Sequence, residues 1–151
     1  MTTTTEGRTA PMEALYTAEA LATGAGRDGH VATSDRRVEF DLAIPKEMGG
    51  SGDGANPEQL FAAGYAACFH SALQSVARTQ KVRIADTSVG ARVQIGSNGQ
   101  GGFGLAVELE VVIPELPHDQ AQALADAAHQ VCPYSNATRG NIDVTITVSD
   151  D

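Results

Sequence analysis

Asn56-Pro57-Glu58-Gln59-Leu60-Phe61-Ala62-Ala63-Gly64-Tyr65-Ala66-Ala67-Cys68-Phe69-His70-Ser71-Ala72-Leu73 is the stretch on which the fold turns. Asn56 is a good N-cap, Pro57 suits a first helical position that needs no N–H, and Gln59 completes a capping-box pattern. The signals predict a helix that starts after Asn56 and runs to about Gln80. Steps of three and four place Phe61, Gly64, Cys68, Ala72 and Ser75 on one stripe, flanked by Leu60, Ala67 and Ser71. A glycine inside a helix costs about 1 kcal/mol relative to alanine. Gly64, one turn before the sulfur, therefore marks either close packing or space kept open beside Cys68.

Around this helix the chain reads as one soluble domain. Its 151 residues are long enough for a real core, and 42% of them are hydrophobic. Nineteen acidic against ten basic residues give a net charge of −9, which repels phosphate backbones and anionic membrane surfaces. Nucleic acid and membranes are not expected as partners. No run approaches the roughly 18 apolar residues of a membrane span, and the first eleven residues hold no apolar signal core, so a cytoplasmic location is expected. Two cysteines in a reducing compartment leave three readings: inert buried thiols, a metal site or redox chemistry.

Residues 1–11 read as a frayed tail, and residues 12–151 as a single domain. The pattern of 12–22 suits helix or strand, but the turn Thr23-Gly24-Ala25-Gly26-Arg27-Asp28-Gly29 favours a hairpin. Residues 37–44 alternate as a half-buried strand ending at Pro45, and the glycine-rich loop 46–55 follows as lid or linker. Residues 82–95 predict a strand, 96–104 a long turn, and 105–113 a strand with Glu108 and Glu110 on its polar face. Gly99, Gly101 and Gly104 satisfy G-x-G-x-x-G, yet a strand follows where a dinucleotide site needs a helix. Asp119 caps a second predicted helix over 120–131. Pro133 ends it at Cys132, a turn spans 134–141, and a last strand covers 142–148. This order gives an α+β fold with mostly antiparallel pairing.

Buried thiols have raised pKa values and are inert, so Cys68 is either structural or a nucleophile with a fixed cation beside it. Arg27, in its glycine-bounded turn, is a candidate cation as well as an ordinary surface arginine. Its five-donor fork suits both a thiolate and a peroxide oxygen, provided a carboxylate orients it. Glu58 is a candidate for that carboxylate, or simply a first-turn acid favoured by the helix dipole. Ten residues of helix put Glu58 about 15 Å from Cys68, so a shared centre needs Glu58 from a second subunit. His129 and Cys132 have metal-ligand spacing but lack further ligands nearby, and no metal site is expected.

The stretches 56–69 and 128–141, with Gly26-Arg27-Asp28-Gly29 and Gly101-Gly102-Phe103-Gly104-Leu105, resemble the organic hydroperoxide resistance family of the Ohr/OsmC superfamily. The likeness covers about residues 14–148. It implies a thiol peroxidase reducing alkyl and fatty-acid hydroperoxides to alcohols, with Cys68 as peroxidatic thiolate, Cys132 as resolving thiol, and Arg27 and Glu58 as the activating pair. It also implies an intertwined homodimer with antiparallel sheets wrapped around central helices. No bound cofactor is implied; the reductant is an external dithiol, a dihydrolipoyl group on a lipoylated protein. Phe61, Tyr65 and Phe69 are candidates to line an alkyl-binding pocket, or else core. The alternatives are an OsmC-branch peroxidase of different preference, and a non-catalytic redox sensor using the same two cysteines.

Overall fold

The computed structural model describes residues 12–149, so the expected tail over 1–11 lies outside the described residues. Two compact units divide at Ala55 and Asn56.

The first unit is a three-stranded antiparallel sheet of β1 (Ala20–Thr23), β2 (His30–Thr33) and β3 (Glu39–Asp41), in that order. Thr23 faces His30 across the expected hairpin, and His30 in turn faces Asp41. The turn closes tightly: a Cβ on Gly29 would lie 2.2 Å from the Thr23 carbonyl oxygen, so only glycine fits there. Asp28 reinforces it by accepting a hydrogen bond from the Ile44 amide at 3.0 Å.

The half-buried strand expected over 37–44 shrinks to the three residues of β3, all exposed. Its beginning is taken by a turn in which the Arg37 amide donates to Asp35 and Arg36 has a φ of 60°. Its end leaves the ladder for a bridge between Leu42 and Ala55. Among the described residues of this unit only Ala43 is buried, while Leu15, Tyr16, Leu21 and Phe40 stay exposed.

The second unit is built on α1 (Pro57–Thr79), which has the expected capping box. Asn56 Oδ1 accepts from the Gln59 amide at 2.9 Å, and Gln59 Oε1 from the Asn56 amide at 3.1 Å. A ten-residue antiparallel hairpin follows, β4 (Ser88–Ser97) and β5 (Phe103–Val112). The strand expected from residue 82 starts at Ser88 instead, because Lys81 and Asp86 take left-handed backbone conformations that break extension. β5 alternates as its sequence demands, burying Val107, Leu109 and Val111 and turning Glu108 to solvent.

Two helices cross from β5 to the final strand: α2 (His118–Val131) and α3 (Pro133–Thr138). That crossover brings β6 (Val144–Ser149) in parallel beside β5, the one parallel pair among the described strands and the exception in a mostly antiparallel α+β fold. Pro117, not Asp119, holds the cap position of α2, and Asp119 lies in its first turn. The turn expected over 134–141 is largely α3. Pro133 fixes φ at its first position, and six residues are too few to show helical periodicity. The core joins Tyr65, Phe69, Leu73 and Ala77 of α1, Val107, Leu109 and Val111 of β5, and Ala121, Leu124, Ala125 and Ala128 of α2 in one cluster, with α1 lying along β4 and α2. Among the described residues no helix is long and apolar enough to cross a membrane.

In the first sheet His30 Nδ1 pairs with Asp41 at 2.8 Å and Nε2 with Glu39 at 2.9 Å. The bonds to Asp41, then Glu39, raise its pKa. The stabilisation from charged His30 is thus complete below the unfolded value near 6.5 and is lost as pH rises through the higher folded value. In urea titrations the stability advantage of the wild type over His30→Gln should be larger at pH 6 than at pH 9. A pH-independent difference would show that the imidazolium contributes nothing.

Candidate active site

Cys68 sits at mid-helix in α1 on the stripe that also carries Phe61, Gly64 and Ala72. Cys132 is the hinge residue between α2 and α3. Pro133 excludes it from helical geometry, and its backbone adopts φ −65° and ψ 123°. That corner turns the Cys132 side chain onto α1. The two sulfurs lie 3.6 Å apart as free thiols, with Cys132 fully buried and Cys68 partly exposed.

The first turn of α3 does more than deliver Cys132. The Tyr134 amide donates a hydrogen bond to the Cys68 sulfur. The Tyr134 ring lies across α1 at Gly64, stacked on Phe61 with centroids 5.8 Å apart and tilted against Tyr65 at 5.6 Å. A Cβ on Gly64 would stand 2.8 Å from the Tyr134 oxygen and 3.2 Å from its ring. Of the two readings of Gly64, close packing holds. Behind this contact the Tyr65 hydroxyl bonds Ser135 Oγ at 2.8 Å and Thr138 Oγ1 at 3.1 Å. Arg139 braces the other side, reaching the His129 carbonyl at 3.3 Å and Asn136 Oδ1 at 2.9 Å.

Burial raises the Cys68 pKa, Cys132 raises it further, and the Tyr134 N–H opposes both. Nucleophilic use of Cys68 therefore requires positive charge from elsewhere. His129 is pushed the other way, down, by burial first and by Arg139 second. Its Nδ1 is buried without a hydrogen-bond partner. Among the described residues no three His, Cys, Asp or Glu side chains gather to hold a metal ion.

Of the residues singled out in the sequence, the structure brings Cys68 and Cys132 together. Glu58 occupies the first turn of α1, about 15 Å along the axis from Cys68 by helical rise. Arg27 lies in the short 3-10 turn Gly26–Asp28 of the first unit. Phe61 is partly exposed, whereas Tyr65 and Phe69 are fully buried and offer no surface to a ligand in this chain. Sequence reasoning missed Tyr134, Ser135 and Thr138. The signal for them was the Cys132-Pro133 step, which starts a new helix as surely as it ends the old one.

Comparison with known proteins gives these features a context. The OsmC-like protein family matches residues 50–147. An organic hydroperoxide resistance protein of Xanthomonas axonopodis pv. citri is 52% identical, over 92% of this chain and 98% of its own. The organic hydroperoxide resistance protein OhrB of Bacillus subtilis is 46% identical over 88% and 97%. Among solved structures, an organic hydroperoxide resistance protein from Elizabethkingia anophelis superposes with a TM-score of 0.88 at 54% identity, covering 93% of this chain and all of that one.

Gly64→Ala tests the close approach of Tyr134. The alanine gains about 1 kcal/mol of helix propensity, but overpacking costs about 1–3 kcal/mol, so the variant should be less stable by about 1 kcal/mol in urea. A gain in stability would mean that Tyr134 moves aside at no cost.

Proposed function

The chain belongs to the OsmC-like family, alongside the organic hydroperoxide resistance proteins, and on that basis we propose that it is a two-cysteine peroxidase for organic hydroperoxides. Identity of 46–52% to named organic hydroperoxide resistance proteins supports a role in resistance to these oxidants. The observation that carries the mechanism is the 3.6 Å contact between a partly exposed and a fully buried thiol.

The Cys68 thiolate attacks the terminal oxygen of the hydroperoxide. The O–O bond breaks, the alkoxide takes a proton and leaves as an alcohol, and Cys68 becomes a sulfenic acid. Cys132 sulfur then attacks the Cys68 sulfur, water departs, and a disulfide forms. An external dithiol, a dihydrolipoyl group carried by a lipoylated protein, returns two electrons and two protons and restores both thiols. Arg27 supplies the positive charge that stabilises the Cys68 thiolate, and Glu58 orients Arg27. Phe61, partly exposed one stripe position from Gly64, borders the approach of an alkyl chain.

The active unit on this reading is a homodimer. The described part of the first unit leaves Leu15, Tyr16 and Leu21 more than two-thirds exposed and buries only Ala43, too little apolar burial to hold a sheet alone. Glu58, about 15 Å from Cys68 in its own helix, serves the partner's centre. The raised Cys68 thiol favours a second reading, a slow regulatory disulfide without turnover.

Native and denaturing intact mass, before and after one equivalent of an alkyl hydroperoxide, tests the proposal. The expected result is twice the subunit mass under native conditions and rapid loss of two hydrogens per chain, mapped to Cys68 and Cys132. Multiple turnovers should follow on adding dihydrolipoamide. No reaction, or oxygen scattered over other residues, would overturn the peroxidase; one slow oxidation without turnover would select the regulatory disulfide. Arg27→Ala should fold normally and reduce the second-order rate with peroxide by on the order of 100-fold. An unchanged rate would remove Arg27 from the centre.

A further inference from the structure

We propose that the Tyr65 hydroxyl is a positioning group for Cys132: through Ser135 and Thr138 it fixes the first turn of α3 on α1, and thereby sets how fast a Cys68 sulfenic acid is resolved. The inference rests on the two-cysteine reading above.

Three hydroxyls meet in a core that is otherwise apolar. Tyr65 and Ser135 are fully buried and Thr138 nearly so. One assignment of their protons makes all three bonds. Thr138 Oγ1 donates to the Ser135 carbonyl at 3.2 Å, so towards Tyr65 it accepts. The single Tyr65 proton therefore goes to Thr138, and Tyr65 accepts from Ser135 Oγ. The result is a directed chain from Ser135 O–H through Tyr65 O–H and Thr138 O–H back to the Ser135 carbonyl. Each member polarises the next, and none has another arrangement that satisfies all three.

The placement of this chain gives it leverage over the thiols. Tyr65 and Cys68 are three residues apart on one rigid helix, and Ser135 lies three residues beyond Cys132. The Asn136 amide donates to the Cys132 carbonyl at 2.9 Å, so Cys132 moves with α3. One end of the link is thus the helix that carries Cys68, and the other is the turn that carries Cys132 and the Tyr134 amide. Disulfide formation must shorten the sulfur separation from 3.6 Å to about 2.05 Å. A turn held in register spends its time near that geometry, whereas a loosened one spends most of it elsewhere. The sulfenic acid that waits is open to a second peroxide and to irreversible sulfinic acid.

The test separates the two chemical steps in Tyr65→Phe, which removes only the hydroxyl, and, as a second variant should that one fail to fold, in Ser135→Ala, which leaves Tyr65 in place. Thr138→Ser keeps the third hydroxyl and serves as the conservative control. Stopped-flow mixing with tert-butyl hydroperoxide follows Cys68 oxidation, and quenched mass spectrometry follows the disulfide and the sulfinic acid. Cys68 oxidation should stay within about threefold of wild type in either variant, disulfide formation should slow about tenfold or more, and sulfinic acid should accumulate at excess peroxide. Thr138→Ser should behave as wild type. Wild-type disulfide rates in the folded variants would overturn the proposal, as would an equal loss in both steps, which marks a general packing role. If the wild type itself forms neither sulfenic acid nor disulfide, the peroxidase reading fails first, and the two failures are distinguishable.

Discussion

A single close approach, α3 lying on α1 at Gly64, is the constraint on which the rest of the second unit depends. A Cβ at Gly64 would stand 2.8 Å from the Tyr134 oxygen, so any side chain there must displace the far end of that ring. The same turn of α3 brings the Tyr134 amide to the Cys68 sulfur and follows Cys132, whose sulfur lies 3.6 Å from it. A glycine that looks like a loss in helix propensity makes room for this ring beside the thiols. The paired sulfurs then add their own constraint, because Cys132 discourages ionisation of Cys68.

The crossover topology follows from the same requirement. Cys132 must come from a segment that leaves the sheet, packs on α1 and returns, and a helix pair between β5 and a parallel β6 does this in about thirty residues. The break at Cys132-Pro133 divides that crossover into α2, which packs its alanine-rich face into the core, and the short α3, which reads α1. A continuous helix would have carried the Cys132 sulfur on its own spiral, with no freedom to turn it toward Cys68. Proline at this point ends one helix, starts the next and leaves the thiol at the corner.

Much of this is visible in the sequence, and what is hidden has physical causes. α1 announces itself through Asn56, Pro57 and Gln59, because capping is local chemistry that nothing distant overrides. The alternation of 105–113 fixed β5 and its buried face for the same reason. β3 misled, since strict alternation in 37–44 says which side chains could share a face but not how long the partner strand is. The ladder ends where the Asp35 turn and the Leu42–Ala55 bridge claim the backbone. α3 and its two buried hydroxyls were hidden because six residues carry no period and because Ser135 and Thr138, polar by composition, read as turn. The thiols were legible as residues, but their contact joins positions 64 apart, and in the sequence only the family resemblance paired them.

The electrostatics of the pair set what a nucleophilic Cys68 would need. Burial and the neighbouring Cys132 push the Cys68 thiol up, and the Tyr134 amide only partly counters this. A nucleophile needs the opposite, a charge that stabilises the thiolate, and the arginine proposed for it belongs to the first unit. That unit has its own deficit, an exposed apolar sheet with one buried alanine among its described residues. On the proposed reading a second subunit answers both, since its surface covers Leu21 and Phe40 and the exclusion of water strengthens the charge that Cys68 needs. On the proposed reading, assembly of the dimer and activation of Cys68 are therefore one event, and a separated chain would be both loosely folded in its first unit and unreactive at its thiol.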